Sequence, residues 1–177
     1  MFTQPVNNLK HLDLSHDMII ADLGAGTGFY SLHASSLVPF GKVYAIDINQ
    51  DFLKTISNQA REKKIKNLET LHADLEKKGG SKLKDSLIDR VIVSNILFMV
   101  SDRKVFLKEA NRILKDGGKV LFVDFDPNSP ILKNTKHKTL TQNEARKLFE
   151  DASFVYERDF MTGDHHYGMI FTKPIKK

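Results

Sequence analysis

Three glycines at alternating positions follow an acid in Asp22-Leu23-Gly24-Ala25-Gly26-Thr27-Gly28. The apolar segment Ile19-Ile20-Ala21 leads into them, and a helical pattern begins behind them near Phe29. A strand that enters a glycine-rich turn and then a helix N-terminus builds a backbone cradle for a polar cofactor. In the dinucleotide pattern G-x-G-x-x-G, counted from Gly24 and Gly26, the third glycine falls at position 29. That position is Phe29, and the glycine stands at 28 instead. An acid two residues ahead of the first glycine repels a pyrophosphate and attracts an ammonium group. The combination points to S-adenosylmethionine (SAM) rather than to NAD.

Two more strand-like segments end in acids, Lys42–Asp47 and Leu68–Asp74. In an open α/β sheet, ligands bind beyond the carboxyl ends of the strands, so Asp22, Asp47 and Asp74 are expected at one rim. Asp47 stands about 20 residues past the glycines, where a carboxylate accepts from both ribose hydroxyls. An acid ending the next strand reaches an adenine amine. Taken singly, each acid is as well explained by strand-end solvation or a helix cap; three in register with the glycine turn favour a cofactor site.

The elements that must hold these residues alternate along the chain, as βαβ units do. Strands are expected at Met18–Leu23, Lys42–Asp47, Leu68–Asp74, Ile88–Ser94 and Lys119–Asp124. Helices are expected at Phe29–Val38, Gln50–Lys63 and Asp102–Lys115, with Asp116-Gly117-Gly118 as a turn after the last. Thr141-Gln142-Asn143-Glu144 is a capping box that starts a further helix to about Asp151. Phe154–Phe160 and His166–Thr172 form a closing hairpin around Thr162-Gly163-Asp164, so one of its strands runs antiparallel to the rest. Glu76–Ser86 and Asp126–Leu140 carry no firm pattern.

Composition narrows the chemistry. The 177 residues, 41% of them hydrophobic, suit one domain spanning 1–177, with 1–17 as a short N-terminal cap segment. The absence of cysteine excludes disulfides, zinc–thiolate sites and a thiolate nucleophile, and with it the covalent route to C5 of a pyrimidine. No metal site is expected. No basic-then-apolar leader or membrane-spanning run is present, so the cytoplasm is the expected location. The net charge of +5 raises the question of RNA, but the lysines are spread along the chain. Two clusters stand out, Lys77, Lys78, Lys82 and Lys84, and then Lys133, Lys136, His137 and Lys138. Neither is interleaved with aromatic residues that stack on bases.

The ordered set resembles the class I SAM-dependent methyltransferases, over nearly the whole chain from Met18 to Pro174. It is carried by the Asp-Leu-Gly-Ala-Gly-Thr-Gly turn, Asp47, Ala73-Asp74-Leu75, Asp89–Leu97 and Arg112–Val120. The nearest likeness is to the small-molecule group that includes ubiquinone- and menaquinone-type C-methyltransferases. The resemblance implies a Rossmann-like, doubly wound α/β fold with seven strands in order 3-2-1-4-5-7-6, strand 7 antiparallel. It implies that Gly24, Ala25, Gly26 and Gly28 admit the methionine part of SAM, with Asp22 on its amino group. Asp47 would hold the ribose, Ile48 would lie against the adenine, Asp74 and Leu75 would contact its amine, and Asn95 would line the sulfonium side. S-adenosylhomocysteine is the product such an enzyme releases.

The same topology brings the start of the antiparallel strand to the cofactor rim. His166, Asp124 and Asp126 are therefore the candidate catalytic groups, with His166 as a general base near neutral pH. A polar hairpin edge explains the histidines equally well. The sequence Ser94-Asn95-Ile96-Leu97-Phe98 lacks the Pro-Pro-aromatic run of the amino-adenine and glutamine methyltransferases. Ile96–Val100 suits an apolar pocket or the packing of a loop. Lids are confined to Phe2–Leu14 and Asp126–Leu140. A small-molecule acceptor is the leading reading; RNA or protein methylation, or a non-catalytic SAM-binding partner subunit, are the alternatives. The residues do not set the oligomeric state.

Overall fold

The computed structural model describes residues 4–130 and 139–175. Seven strands form one sheet: β1 (Ile19–Leu23), β2 (Lys42–Asp47), β3 (Leu68–His72), β4 (Ile88–Ser94), β5 (Leu114–Phe125), β6 (Val155–Phe160) and β7 (His166–Thr172). Their order is β3-β2-β1-β4-β5-β7-β6. The pairs from β3 to β5 are parallel, and β7 is antiparallel to both β5 and β6. This is the sheet the resemblance implied.

The central strands read as continuous apolar runs because both of their faces are covered. Ile20, Ala21, Asp22 and Leu23 of β1 are all buried. Alternation across the pleat sorts the side chains into two layers. Ala21, Leu23, Val91, Val93, Val120 and Phe122 pack with Phe106, Leu107 and Phe149 from α4 (Arg103–Ile113) and α5 (Gln142–Asp151). Ile20, Ile92, Leu121, Val123 and Ile170 pack with Tyr30 and Ala34 on the other side, where α2 (Ser31–Leu37) lies. Among the described residues the remaining α-helices are α1 (Pro5–Leu9), which runs into a 3-10 turn at Lys10–Leu12, and α3 (Gln50–Glu62). The Thr141–Glu144 capping box forms as expected.

Four boundaries differ from the sequence expectations by two residues or more. Helix α4 stops at Ile113, and β5 begins at Leu114, before the supposed Asp116–Gly118 turn. That turn is a bulge inside the strand: Ile88 pairs with Leu114 and Arg90 with Lys119, so β5 carries extra residues there. Gly117 takes φ +74, which a bulge of this kind requires. The end of α4 is fixed from afar. Lys173 Nζ donates to the carbonyls of Asn111 (2.9 Å) and Leu114 (2.6 Å), which would otherwise lack partners at a helix C-terminus. Helix α2 starts at Ser31 rather than Phe29, because residues 27–30 still belong to the turn. Strand β3 stops at His72, leaving Asp74 in the connection beyond it.

The N-terminal segment is strapped to the sheet. Leu9 and Leu12 are fully buried. Arg90 Nε donates to the Leu12 carbonyl (2.6 Å), and Arg158 to that of His11 (3.2 Å). The other expected lid falls partly outside the described residues, as do Lys133, Lys136, His137 and Lys138.

Candidate functional site

A cavity of about 630 Å³ opens at the carboxyl ends of β1, β2 and β4, within the span of roughly 300–1,000 Å³ common for small-molecule sites. Asp22, Gly24, Ala25, Gly26, Asp47, Ile48 and Asn95 all line it. The structure thus brings together seven of the ten residues that the sequence assigned to the cofactor.

The glycine turn is pinned to β2 by its own amides. Gly24 N and Ala25 N both donate to the Ile46 carbonyl (2.8 and 3.0 Å), and Gly28 N to that of Ala25 (2.9 Å). Gly26 N donates to Asp47 Oδ2 (2.8 Å). An anion at such a turn needs free N–H groups, and these four are already engaged. At Gly26 a Cβ would meet nothing within 4 Å, and φ is +54. A ligand therefore has room to lie directly against this backbone. Gly28 has a different task. It does not line the cavity, and a Cβ there would stand 2.8 Å from Ile56 of α3.

Charge completes the picture. The side chains lining the cavity include Asp22, Asp47 and Glu76, with no lysine, arginine or histidine among the described residues. This acidic lining sits in a chain of net charge +5. Asp22 is 2% exposed, and its Oδ2 accepts from Ser31 Oγ (2.6 Å). Burial pushes its carboxyl up to about 6, against the opposing pull of the Ser31 hydroxyl and amide. A cation placed beside Asp22 would relieve that burial cost. Asp47 accepts from Gly26 N at one oxygen and from Asn49 N (2.8 Å) at the other. Each oxygen keeps a further lone pair for a hydroxyl donor. Ile48 and Phe52 stand 64% and 40% exposed at the mouth, an unusual exposure for such side chains and a surface on which a flat base can rest.

Asp74 and Leu75 do not line the cavity. Asp74 Oδ1 accepts from Glu76 N (3.0 Å), and its other oxygen lies 3.2 Å from Lys77. These donors hold the Asp74 carboxyl below its usual value. Glu76 faces the cavity instead, its Oε2 accepting from Asp102 N (2.7 Å). Lys82 of the first basic cluster donates to the His72 carbonyl (3.4 Å), so two of that cluster's four lysines have protein partners.

Tyr30 is a residue the sequence reading missed. It lines the cavity at 5% exposure, and its hydroxyl accepts from Asn8 Nδ2 (2.7 Å). Asn8, itself 1% exposed, thus ties α1 to the site wall.

The proposed catalytic groups lie beside the cavity rather than in it. Asp124 is fully buried at the end of β5. Its Oδ1 accepts from Phe125 N (2.8 Å), and burial, outweighing that bond and nearby Arg103, pushes its carboxyl up to about 6. His166 packs against Phe125 with ring centroids 4.2 Å apart and borders a hollow of about 270 Å³ shared with Thr162 and Tyr167. Burial lowers its ring below the usual value, partly offset by the Asp164 carbonyl. Asp126 borders a separate hollow of about 260 Å³ with Thr141, Gln142 and Tyr167. Among the described residues no group of three or more His, Asp or Glu side chains is arranged to hold a metal ion.

Comparison with known proteins identifies the family and the fold. A family model described as a methyltransferase domain matches residues 14–166. The ubiquinone/menaquinone biosynthesis C-methyltransferase UbiE of Shewanella sp. (strain W3-18-1) is 33% identical over 119 residues, 66% of this chain and 46% of that protein. The chain thus spans about half the length of the curated relatives it matches. A SAM-dependent methyltransferase from Aquifex aeolicus superposes with a TM-score of 0.86 at 24% identity, covering 97% of this chain and 90% of that one. The [4+2]-cyclase SpnF superposes with the same TM-score at 13% identity, covering 97% and 80%.

Proposed function

Because the chain belongs to the methyltransferase-domain family, we propose that it binds SAM in the β1–β2–β4 cavity and transfers its methyl group to a small-molecule acceptor. The observation that carries the cofactor reading is the acidic cavity, lined by Asp22, Asp47 and Glu76, beside a turn whose glycine amides are engaged within the protein. It suits a cationic ligand better than a pyrophosphate. The small-molecule reading is supported by the activity for which the curated relatives are named, C-methylation in ubiquinone and menaquinone biosynthesis. Fold alone does not settle chemistry, since a [4+2]-cyclase shares this architecture.

SAM supplies a methyl group already activated on a sulfonium, so the protein needs no nucleophile of its own. Its work is to hold, orient and exclude water. Asp22 would pair with the ammonium, and Asp47 with the ribose hydroxyls. Ile48 and Phe52 would flank the adenine, with Glu76 near it on the loop where the sequence pointed to Asp74. Asn95, at the end of β4, would face the reacting side. His166 is the candidate to take a proton from an oxygen or carbon acceptor, since its Nδ1 faces the Asp164 carbonyl (3.2 Å) and leaves Nε2 as the free base in the neutral ring.

The cofactor test is thermal unfolding with SAM, S-adenosylhomocysteine, NAD and NADP. At 100 times its dissociation constant a ligand adds about 2.7 kcal/mol, a rise of roughly 5–10 °C for a chain of this size. A rise with the two adenosyl sulfur compounds alone is expected; a rise with NAD or NADP in their place overturns the reading. Asp47→Ala is expected to weaken S-adenosylhomocysteine by about 1.5–3 kcal/mol, the cost of losing a charged hydrogen-bond partner. Titration calorimetry checks this, and unchanged affinity removes Asp47 from the ribose.

A further inference from the structure

The methionine part of SAM carries an ammonium and a carboxylate on one carbon. Asp22 suits the ammonium, but the same acidic lining repels the carboxylate. Among the described residues no lysine, arginine or histidine lines the cavity to offset this. The carboxylate therefore needs a neutral donor close to Asp22. Thr27, also in the lining, is exposed, and the Asn49 side chain caps α3 on the Asp47 side of the cavity. Tyr30 stands apart from these. It lines the cavity at 5% exposure, precedes Ser31, whose hydroxyl bonds Asp22, and feels the Asp22 charge itself.

The hydrogen bonding of Tyr30 has a direction. Its oxygen accepts from Asn8 Nδ2 (2.7 Å). A phenol has one proton, and that proton does not point along a bond in which the oxygen is the acceptor. It is turned away from α1, toward the Ser94 hydroxyl beside it and the cavity that Tyr30 and Ser94 both line. Burial raises the phenol above its ordinary value against the bonds from Asn8 and Ser94, so the proton is retained at neutral pH. Asn8 is held in turn by its surroundings. It is 1% exposed, Leu9 and Leu12 behind it are fully buried, and Arg90 Nε fixes the Leu12 carbonyl. We propose that Tyr30 donates its hydroxyl proton to the carboxylate of the cofactor's methionine part, and that Asn8 is a positioning residue that aims this proton from the N-terminal helix. Helix α1 thereby shapes a cavity that none of its residues lines. The proposal rests on the cofactor reading above and adds a partner for a group that the acidic lining leaves unexplained.

The test compares two ligands by titration calorimetry: S-adenosylhomocysteine and its decarboxylated analogue, which keeps the adenosine, the sulfur and the amine. The unmodified protein is expected to bind S-adenosylhomocysteine at least about tenfold tighter, the discrimination a buried donor gives when its charged acceptor is removed. Equal or tighter binding of the analogue overturns the proposal, and this arm needs no variant to fold. In Tyr30→Phe, S-adenosylhomocysteine is expected to weaken about tenfold or more while the analogue changes by less than about threefold. Asn8→Leu is expected to give the same one-sided loss, smaller in size, and to add nothing further in the Tyr30→Phe background. A substitution that only loosens the cavity wall weakens both ligands alike, and that outcome overturns the donor role of Tyr30. A loss from Asn8→Leu that persists in full beside Tyr30→Phe overturns the positioning role of Asn8. Failure of the unmodified protein to bind either ligand would instead be a failure of the cofactor reading.

Discussion

Asp22→Asn is expected to stabilise the cofactor-free protein at pH 8 and to weaken SAM binding in the same molecule. The folded-state carboxyl sits at about 6 against an ordinary 3.8, so folding favours its protonated form. Below pH 3.8 both states are protonated and nothing is lost. As pH rises through 6 the buried charge comes to cost roughly 3 kcal/mol. The amide removes that burden but must itself be accommodated beside Ser31, so a net gain of about 1.5 kcal/mol, or 3–6 °C, is expected at pH 8 and none at pH 4. On the proposed assignment the ammonium of SAM would lose its partner, and affinity should fall by roughly tenfold or more. For the unmodified protein, the same logic predicts that SAM affinity falls as pH drops below about 6. Thermal scans at the two pH values with and without ligand read both effects; a variant less stable at both shows that Asp22 is not an ionisation burden.

Glu109→Ala acts in the opposite direction. Glu109 is 3% exposed on α4 and accepts from Gly79 N, Ser81 N, Ser81 Oγ and two nitrogens of Arg112, at 2.6–3.0 Å. Burial alone would raise its carboxyl, but these donors win and hold it at about 2. Removing the acid strands a partly buried guanidinium and two loop amides. Breaking a buried pair costs about 3–5 kcal/mol; Arg112 keeps its pairing with Asp85, so about 3 kcal/mol is expected, a fall of roughly 6–12 °C. The contribution is full above pH 4.5, the ordinary glutamate value, and is lost as pH falls toward 2. The gap between the two proteins should therefore close on acidification. A constant gap down to pH 2 would mean that Glu109 stabilises by packing and not by charge.

Much of this was legible in the sequence because the patterns involved are local. The strand, acid and alternating glycines of residues 19–28 specify their own turn, and two of the three strand-end acids reach the cavity as spacing requires. Asp74 shows the limit. Its strand ends two residues early, and the acid then turns to the neighbouring Glu76 amide and Lys77. Nothing local marks Glu76, which lines the cavity and is held there by a bond from Asp102 N, 26 residues later. Glu109 was hidden for a similar reason, since its partners Gly79 and Ser81 come from a loop with no pattern of its own. The end of α4 was misplaced because Lys173, distant in sequence, supplies the cap.

The place of β7 has a consequence for how the molecule is made. This strand lies between β5 and β6, and residues 167–171 of it are buried. A ribosome delivers β5 and β6 before the strand that joins them. Until then Val120, Leu121, Phe122 and Val123 present an open apolar edge, the kind on which nascent chains associate wrongly. Completion of the sheet by such a long-range pairing is intrinsically slow. Truncations that stop between residues 160 and 165 should therefore be the form most dependent on chaperones, with release following once β7 has been synthesised and inserted.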